Sequence, residues 1–264
     1  SSTPSPSGSK KERVMQVKII DYTGAGSPDP YHAARLLMYV KDTRLKRGDA
    51  AFASKFNMRE PEVEEELGHI VKSIRSSWEF VDVTFEVTGV SRACADQVLR
   101  TRHGSYAVQA MRVANMENFE TSIPLTVLAQ PEAYDLWEST MAVVNATYRR
   151  LQELHIPNQD ARGVLPMNTL TNFNLKWNLR TLAETCGKRE SLRAQGEYRE
   201  FVELLKHELY MVWPWARMFI EPDRTRTPAL QQILQAELGD AGPLDKPLVN
   251  AALKELDMLK GTWG

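Results

Sequence analysis

Val81, Val83, Phe85 and Val87 alternate with Asp82, Thr84 and Glu86. That period of two places the apolar side chains on one face of an extended segment and the polar ones on the other, so the chain must build a sheet with one buried face. A lone strand satisfies neither its backbone groups nor its apolar face, and partners have to come from elsewhere in the chain. Two segments qualify. Met15, Val17 and Ile19 alternate with Gln16 and Lys18, and Phe173, Leu175, Trp177 and Leu179 alternate with Asn174, Lys176 and Asn178. The last of these gathers three polar side chains on one face, where they can line a site.

Between the strands the apolar period becomes helical. Asp29 followed by Pro30 is an N-cap and first-turn proline, with Ala33, Leu36, Leu37 and Val40 at helical spacing behind them. A helix after Pro61 turns Val63, Leu67, Ile70, Val71 and Ile74 inward, and Ser91 starts another that runs toward Arg102. Over 132–154, Ala133, Leu136, Trp137, Met141, Val144, Tyr148 and Leu151 form one continuous stripe, which reads as core packing. Tyr198, Phe201, Val202, Leu205 and Leu209 mark a further core helix ending before Trp213-Pro214-Trp215, and shorter helices follow near 228–238 and 247–260. The expected class is therefore α+β, a small, mostly antiparallel sheet with helices in excess. Residues 1–13, rich in Ser, Pro, Gly and charge, read as a disordered tail; 14–220 is the main domain and 221–264 a helical extension.

Composition removes several functions. Lys plus Arg number 33 and Asp plus Glu 34, so no global basic field marks a binder of nucleic-acid polymers, and an anionic ligand must meet a local cluster. Cys94 and Cys186 lie in helical segments without CxxC or Cys/His spacing, which argues against a zinc site or disulfide scaffold and fits a reducing cytoplasm. His69, His155 and His207 fall on different helices without HExxH spacing, so no metal ligand set is expected. No stretch approaches the roughly 20 apolar residues of a membrane span. Ser105 near His103 has no nucleophile elbow and no neighbouring carboxylate, and neither a GxGxxG nor a Walker A loop is present.

Two polar clusters remain. Arg100, Arg102, His103, Ser105, Gln109 and Arg112 fall within thirteen residues; guanidinium forks bind phosphate bidentately at any working pH. By composition alone such a cluster is more often a solvated helix end. Gly104 within it would let backbone approach a ligand closely. The second cluster runs from Arg162 to Arg189 and includes Asn178, Arg180, Lys188 and Arg189. Amides read base edges and arginines hold phosphate or offset charge on a reacting ring.

Together the clusters resemble the flavin-dependent thymidylate synthase family. Its signature is Arg-His-Arg, seven residues, Ser-x-Arg, and here Arg100-Thr101-Arg102, seven residues, Ala110-Met111-Arg112 keeps the spacing and all three arginines. Glu79 before the strand, Gln97, Ala161-Arg162-Gly163-Val164-Leu165-Pro166, Asn178-Leu179-Arg180, Arg189 and Gln195 match further family positions in order, from about Val17 to Trp215. The resemblance implies a homotetramer with sites at subunit interfaces, FAD as cofactor, NADPH as reductant and 5,10-methylenetetrahydrofolate as carbon donor. It places Ser76, Glu79, Arg100, Arg102, His103, Asn178, Arg180 and Glu184 around FAD. Gln97, Gln109, Arg112, Arg162, Lys188 and Arg189 would hold the nucleotide, with Arg189 polarising the pyrimidine.

Four positions depart from the family pattern. Thr101 stands for the motif His, Ala110 for the motif Ser, Val108 for a Glu and Ile74 for a His. Each loses a hydrogen-bonding or ionisable group, which changes what a site discriminates. A divergent branch of this kind resembles the uridylate C5-methylases of polyoxin-type nucleoside-antibiotic pathways, which accept UMP as well as dUMP. Two other readings stay open at this point: hydroxymethylation of a pyrimidine nucleotide, and a non-catalytic nucleotide-binding homologue.

Overall fold

A computed structural model describes residues 15–44, 52–189 and 196–221. The tail expected at 1–13 and the helices expected near 228–238 and 247–260 lie outside the described residues.

Among the described residues one four-stranded sheet carries the fold, in the order β1-β2-β4-β3. The strands are β1 (Gln16–Tyr22), β2 (Asp82–Ser91), β3 (Gly104–Val108) and β4 (Leu170–Asn178), and every neighbouring pair is antiparallel. The alternation in β2 works as expected: Val83, Phe85 and Val87 are fully buried and stand opposite Trp177, Leu175 and Phe173 of β4. The register shifts between Val87 and Val90, and Gly89 takes φ 70° there, a left-handed backbone that a residue with a Cβ at this position would resist. Its N–H donates to Asn172 Oδ1 at 3.0 Å.

The helices are α1 (His32–Arg44), α2 (Glu60–Val71), α3 (Arg92–Val98), α4 (Leu125–Leu128), α5 (Pro131–Glu153), α6 (Asn158–Ala161), α7 (Leu179–Arg189), α8 (Gly196–Val212) and α9 (Arg217–Ile220). Asp29 starts α1, accepting from Tyr31 N–H at 3.0 Å, and Arg35 locks that start by donating to Asp29 at 2.7 Å. Glu62 accepts the Arg59 N–H at 2.9 Å and so closes the first turn of α2. The apolar face of the sheet packs with α1, α2, α3, α7, α8 and α9 into one core that contains Trp78, Trp177, Trp213, Tyr198 and Phe201. The opposite face carries Lys18, Glu86, Asn174, Lys176 and Ser105, all exposed.

Three expectations are corrected. The helix from Ser91 ends at Val98, with Leu99 as its C-cap, rather than near Arg102, because the backbone tightens there: Arg100 N–H donates to the Gln97 carbonyl at 3.3 Å and Thr101 N–H to the Val98 carbonyl at 3.0 Å. The chain then re-enters the sheet as β3, an edge strand absent from the sequence reading; five residues with Ser105 and Ala107 outward offer little alternation to detect. Ile74, expected inward on α2, lies beyond that helix and is 69% exposed. The stripe on α5 does not join the main core; Tyr148 and Leu151 instead pack in a second, small one. Of its members Tyr148 alone is buried, while Leu136 is 69% exposed.

Candidate functional site

The site starts where β4 turns into α7. Asn178 Oδ1 accepts the Thr181 N–H at 2.9 Å, an N-cap that satisfies one of the free donors of the first helical turn. The amide oxygen expected to face a ligand is thus engaged with backbone. Arg180 leaves this turn toward the 3-10 segment Arg75–Phe80. Its Nη1 donates to Glu79 Oε1 at 2.7 Å and its Nε to Glu184 Oε1 at 3.0 Å. Arg75 approaches the same Glu184 oxygen at 3.9 Å and lies over the Trp78 ring, 5.2 Å from its centroid. The hydrogen bond that Glu184 accepts, then that which Glu79 accepts, raises the pKa of Arg180, so the guanidinium stays charged. Between a third and a half of each of these four side chains faces solvent. At that exposure the network orients the fork more than it stabilises the fold.

A second bond joins the arginine loop to this corner. Thr181 Oγ1 donates to the His103 carbonyl at 3.1 Å, so the residues between α3 and β3 lie against the first turn of α7. Arg100, Arg102 and His103 project from that loop as exposed side chains, and Ser76 stands exposed on the 3-10 segment beside Glu79. Sequence separation of about eighty residues is closed by one hydroxyl.

At its other end β3 delivers the second group. Gln109 N–H donates to the Asn172 carbonyl at 2.9 Å, which extends the β3–β4 pairing by one step before the chain turns. Met111 and Ala114 then pack against a small core of Met116, Tyr148 and Ala161, with Val164 and Leu165 beside them. Arg112 and Arg162 flank members of this same core, and both side chains are exposed. Tyr148 Oη accepts the Met116 N–H at 3.2 Å, tying the turn to α5. Gln97, on the last turn of α3, is half-buried. The side chains of Lys188 and Arg189 lie outside the described residues, although the backbone of α7 extends to Arg189.

The candidate residues therefore form two groups at the two ends of β3: Arg100, Arg102, His103, Asn178, Arg180, Glu79 and Glu184 at one, Gln109, Arg112 and Arg162 at the other. Sequence reasoning missed Arg75 and Thr181. Thr181 had a signal, since Asn178 and Thr181 stand at the spacing of an N-cap and its third residue. Gly104, expected to admit a ligand, is instead pressed by protein. A Cβ there would lie 2.5 Å from Trp177 Nε1 and 2.7 Å from Tyr106 Oη. Among the described residues no group of three or more His, Cys, Asp or Glu side chains is placed to hold a metal ion, and no helix is long and apolar enough to cross a membrane.

The Arg180 fork held by Glu79 and Glu184, with Arg100 and Arg102 exposed on the adjoining loop, marks the candidate site of an α+β protein built on an antiparallel sheet. The comparisons place it more closely. The model of the family described as thymidylate synthase complementing protein matches residues 18–215. A flavin-dependent thymidylate synthase of Thermococcus kodakarensis is 32% identical over 214 residues, covering 77% of this chain and 84% of the relative. One from Thermococcus onnurineus is 31% identical over 204 residues, covering 70% and 83%. The fold matches the crystal structure of thymidylate synthase X from Helicobacter pylori with FAD and dUMP, with TM-score 0.54 and 19% identity over 78% of this chain and 97% of that one. The chain belongs to the flavin-dependent thymidylate synthase family and is a flavin-dependent, methyl-transferring enzyme.

Proposed function

We propose that this enzyme methylates C5 of uridine monophosphate, taking UMP as well as dUMP, within polyoxin-type nucleoside-antibiotic biosynthesis in the cytoplasm. FAD, NADPH and 5,10-methylenetetrahydrofolate complete the reaction. The observation that carries this reading is the Thr181–His103 bond, which sets the arginine loop against Arg180. The donor set suits a flavin dinucleotide: Arg100, Arg102 and Arg180 offer forks to its diphosphate, with Ser76, His103 and Asn178 around them. Bound there, FAD supplies the redox and one-carbon transfer chemistry. The protein's part is to bind and orient. Glu79 and Glu184 hold the Arg180 fork in one direction, so little side-chain entropy remains to be lost on binding.

Arg112 and Arg162, with Gln97, Gln109 and Lys188, take the nucleotide. Arg189 stabilises negative charge on the pyrimidine, since a guanidinium keeps its charge at any working pH. Support for a ribonucleotide comes from the departures. Val108 is partly buried against the core and brings an apolar side chain to the strand end that leads to Gln109 and Arg112, and Ala110 beside them has no hydroxyl. With two polar groups gone, fewer partners remain to enforce one sugar.

The active form is a homotetramer with sites at subunit interfaces. The two residue groups lie at opposite ends of β3, and α5 with its neighbours leaves apolar surface uncovered. Val113, Leu125, Leu136, Val143 and Leu154 are 72%, 82%, 69%, 65% and 54% exposed. Leu136 and Val143 are seven apart on one helix face, the spacing of a helix seam. A patch of this kind marks an interface with another chain.

The test is turnover of UMP and dUMP side by side with FAD, NADPH and methylenetetrahydrofolate, read by product mass. A gain of one CH2 on both nucleotides is expected. Failure to methylate UMP at any enzyme concentration removes the ribonucleotide, and a gain of CH2O assigns hydroxymethylation instead.

A further inference from the structure

We infer that Tyr106 and Thr181 are positioning residues that hold the Arg100–His103 loop in its ligand-ready shape by pinning two of its carbonyl groups. The inference rests on the reading that this loop grips FAD.

The loop's own backbone bonds lie at its start, where Arg100 N–H donates to the Gln97 carbonyl at 3.3 Å and Thr101 N–H to the Val98 carbonyl at 3.0 Å. Arg100 and Arg102 are like charges two residues apart with exposed side chains, and the third fork, Arg180, lies just beyond the Thr181 bond. Like charges at short range repel, and a loop free to relax would swing them apart. Two hydroxyls oppose this. Tyr106 Oη donates to the Thr101 carbonyl at 2.6 Å and Thr181 Oγ1 donates to the His103 carbonyl at 3.1 Å. Each pinned residue sits next to Arg102, one before and one after.

Tyr106 is itself fixed. Its oxygen accepts the indole N–H of Trp177 at 2.8 Å, and Trp177 is fully buried in the register position opposite Gly104. The absent Cβ of Gly104 lets the indole and the phenol meet across the backbone. Thr181 is 5% exposed, and its N–H is bound to Asn178 Oδ1. Both hydroxyls therefore reach the loop from the rigid core. Packing alone does not call for either: phenylalanine would fill the ring site at 106, and valine would fill the space at 181. A hydroxyl at a part-buried position costs free energy unless it is partnered, and the partners chosen are the carbonyls of the arginine loop. Donors set before the ligand arrives leave less ordering to be done on binding.

The experiment is titration of the full chain with FAD, followed by flavin fluorescence, together with steady-state kinetics and thermal unfolding. Tyr106→Phe and Thr181→Val are each expected to raise the Kd for FAD about tenfold. Thr181→Ser, which keeps the hydroxyl, should return to near the wild-type value although its packing is the poorer of the two. The KM for the nucleotide should change less than the Kd for FAD, a split that a general loss of structure does not produce. Should Tyr106→Phe fold poorly, the Thr181→Val and Thr181→Ser pair decides. Arg102→Ala is the benchmark. If it loses flavin while Tyr106→Phe and Thr181→Val bind FAD like wild type, the positioning role is wrong and the site reading stands. If Arg102→Ala binds FAD like wild type, the site reading fails and the inference falls with it.

Discussion

At Gly104 the smallest possible substitution meets the hardest obstacle. An added methyl would stand 2.5 Å from two atoms of the Trp177 ring, which is fully buried. Gly104→Ala should destabilise the fold by about 1–3 kcal/mol, seen as a lower urea midpoint at unchanged slope. Glu200 gives a residue-scale prediction in pH. Glu200 is exposed, yet partial desolvation, then the charge of Glu197, raises its folded pKa above the ordinary 4.5. A raised carboxylate contributes stability that is fully present below its unfolded pKa and is lost as pH rises through the folded value. Glu200→Gln should therefore raise the melting temperature at pH 7, and the advantage should vanish as pH falls below about 4.5. An advantage that persists into acid would show that the charge is not the cause.

Among the elements, the start of α8 is fastened to the end of β2. Glu197 accepts the Ser91 N–H at 2.7 Å and the Ser91 hydroxyl at 2.5 Å, and that hydroxyl also accepts from Cys94 N–H at 3.0 Å to cap α3. Ser91 is 1% exposed, so water cannot replace Glu197 without opening the junction. Glu197→Ala should cost about 1–3 kcal/mol, while Glu197→Gln, which can still pair with both groups, should cost less; chemical denaturation of the two variants makes the comparison. The cap at Ser91 was readable in the sequence as a helix start. Its long-range partner was not, because 106 residues separate the two and no local pattern links them. The same contrast holds between β2 and β3. Four alternating apolar side chains announced β2, whereas β3 exists because β4 has a free edge that Gly104–Val108 can reach once α3 is capped at Leu99.

Over the whole molecule, the stripe on α5 has the period of a core helix yet stays largely outside the core of the protomer. Its partner is another copy of the chain in the proposed assembly. Leu136→Asp combined with Val143→Asp should shift sedimentation from the proposed tetramer to smaller species and cut methyl transfer at least about tenfold, since a charge in a desolvated seam removes its central contacts. Melting of the protomer should move little, because neither side chain is buried in it. An unchanged oligomer carrying both substitutions would assign the interface to another face.

What the amino-acid order determined by itself was everything set by local period and local chemistry: β1, β2 and β4, the starts of α1 and α3, the amphipathic α8, and the spacing of Arg100, Arg102 and Arg112 that carries the family resemblance. Periodicity reports which side of an element is apolar, and it is silent on what that side meets. The tertiary structure decided the rest. It ended α3 early, turned Asn178 inward as a cap, closed Gly104 with an indole and brought Thr181 to His103. Each of these depends on groups far apart in the chain, whose meeting is fixed only when the sheet has paired and its apolar face has been covered.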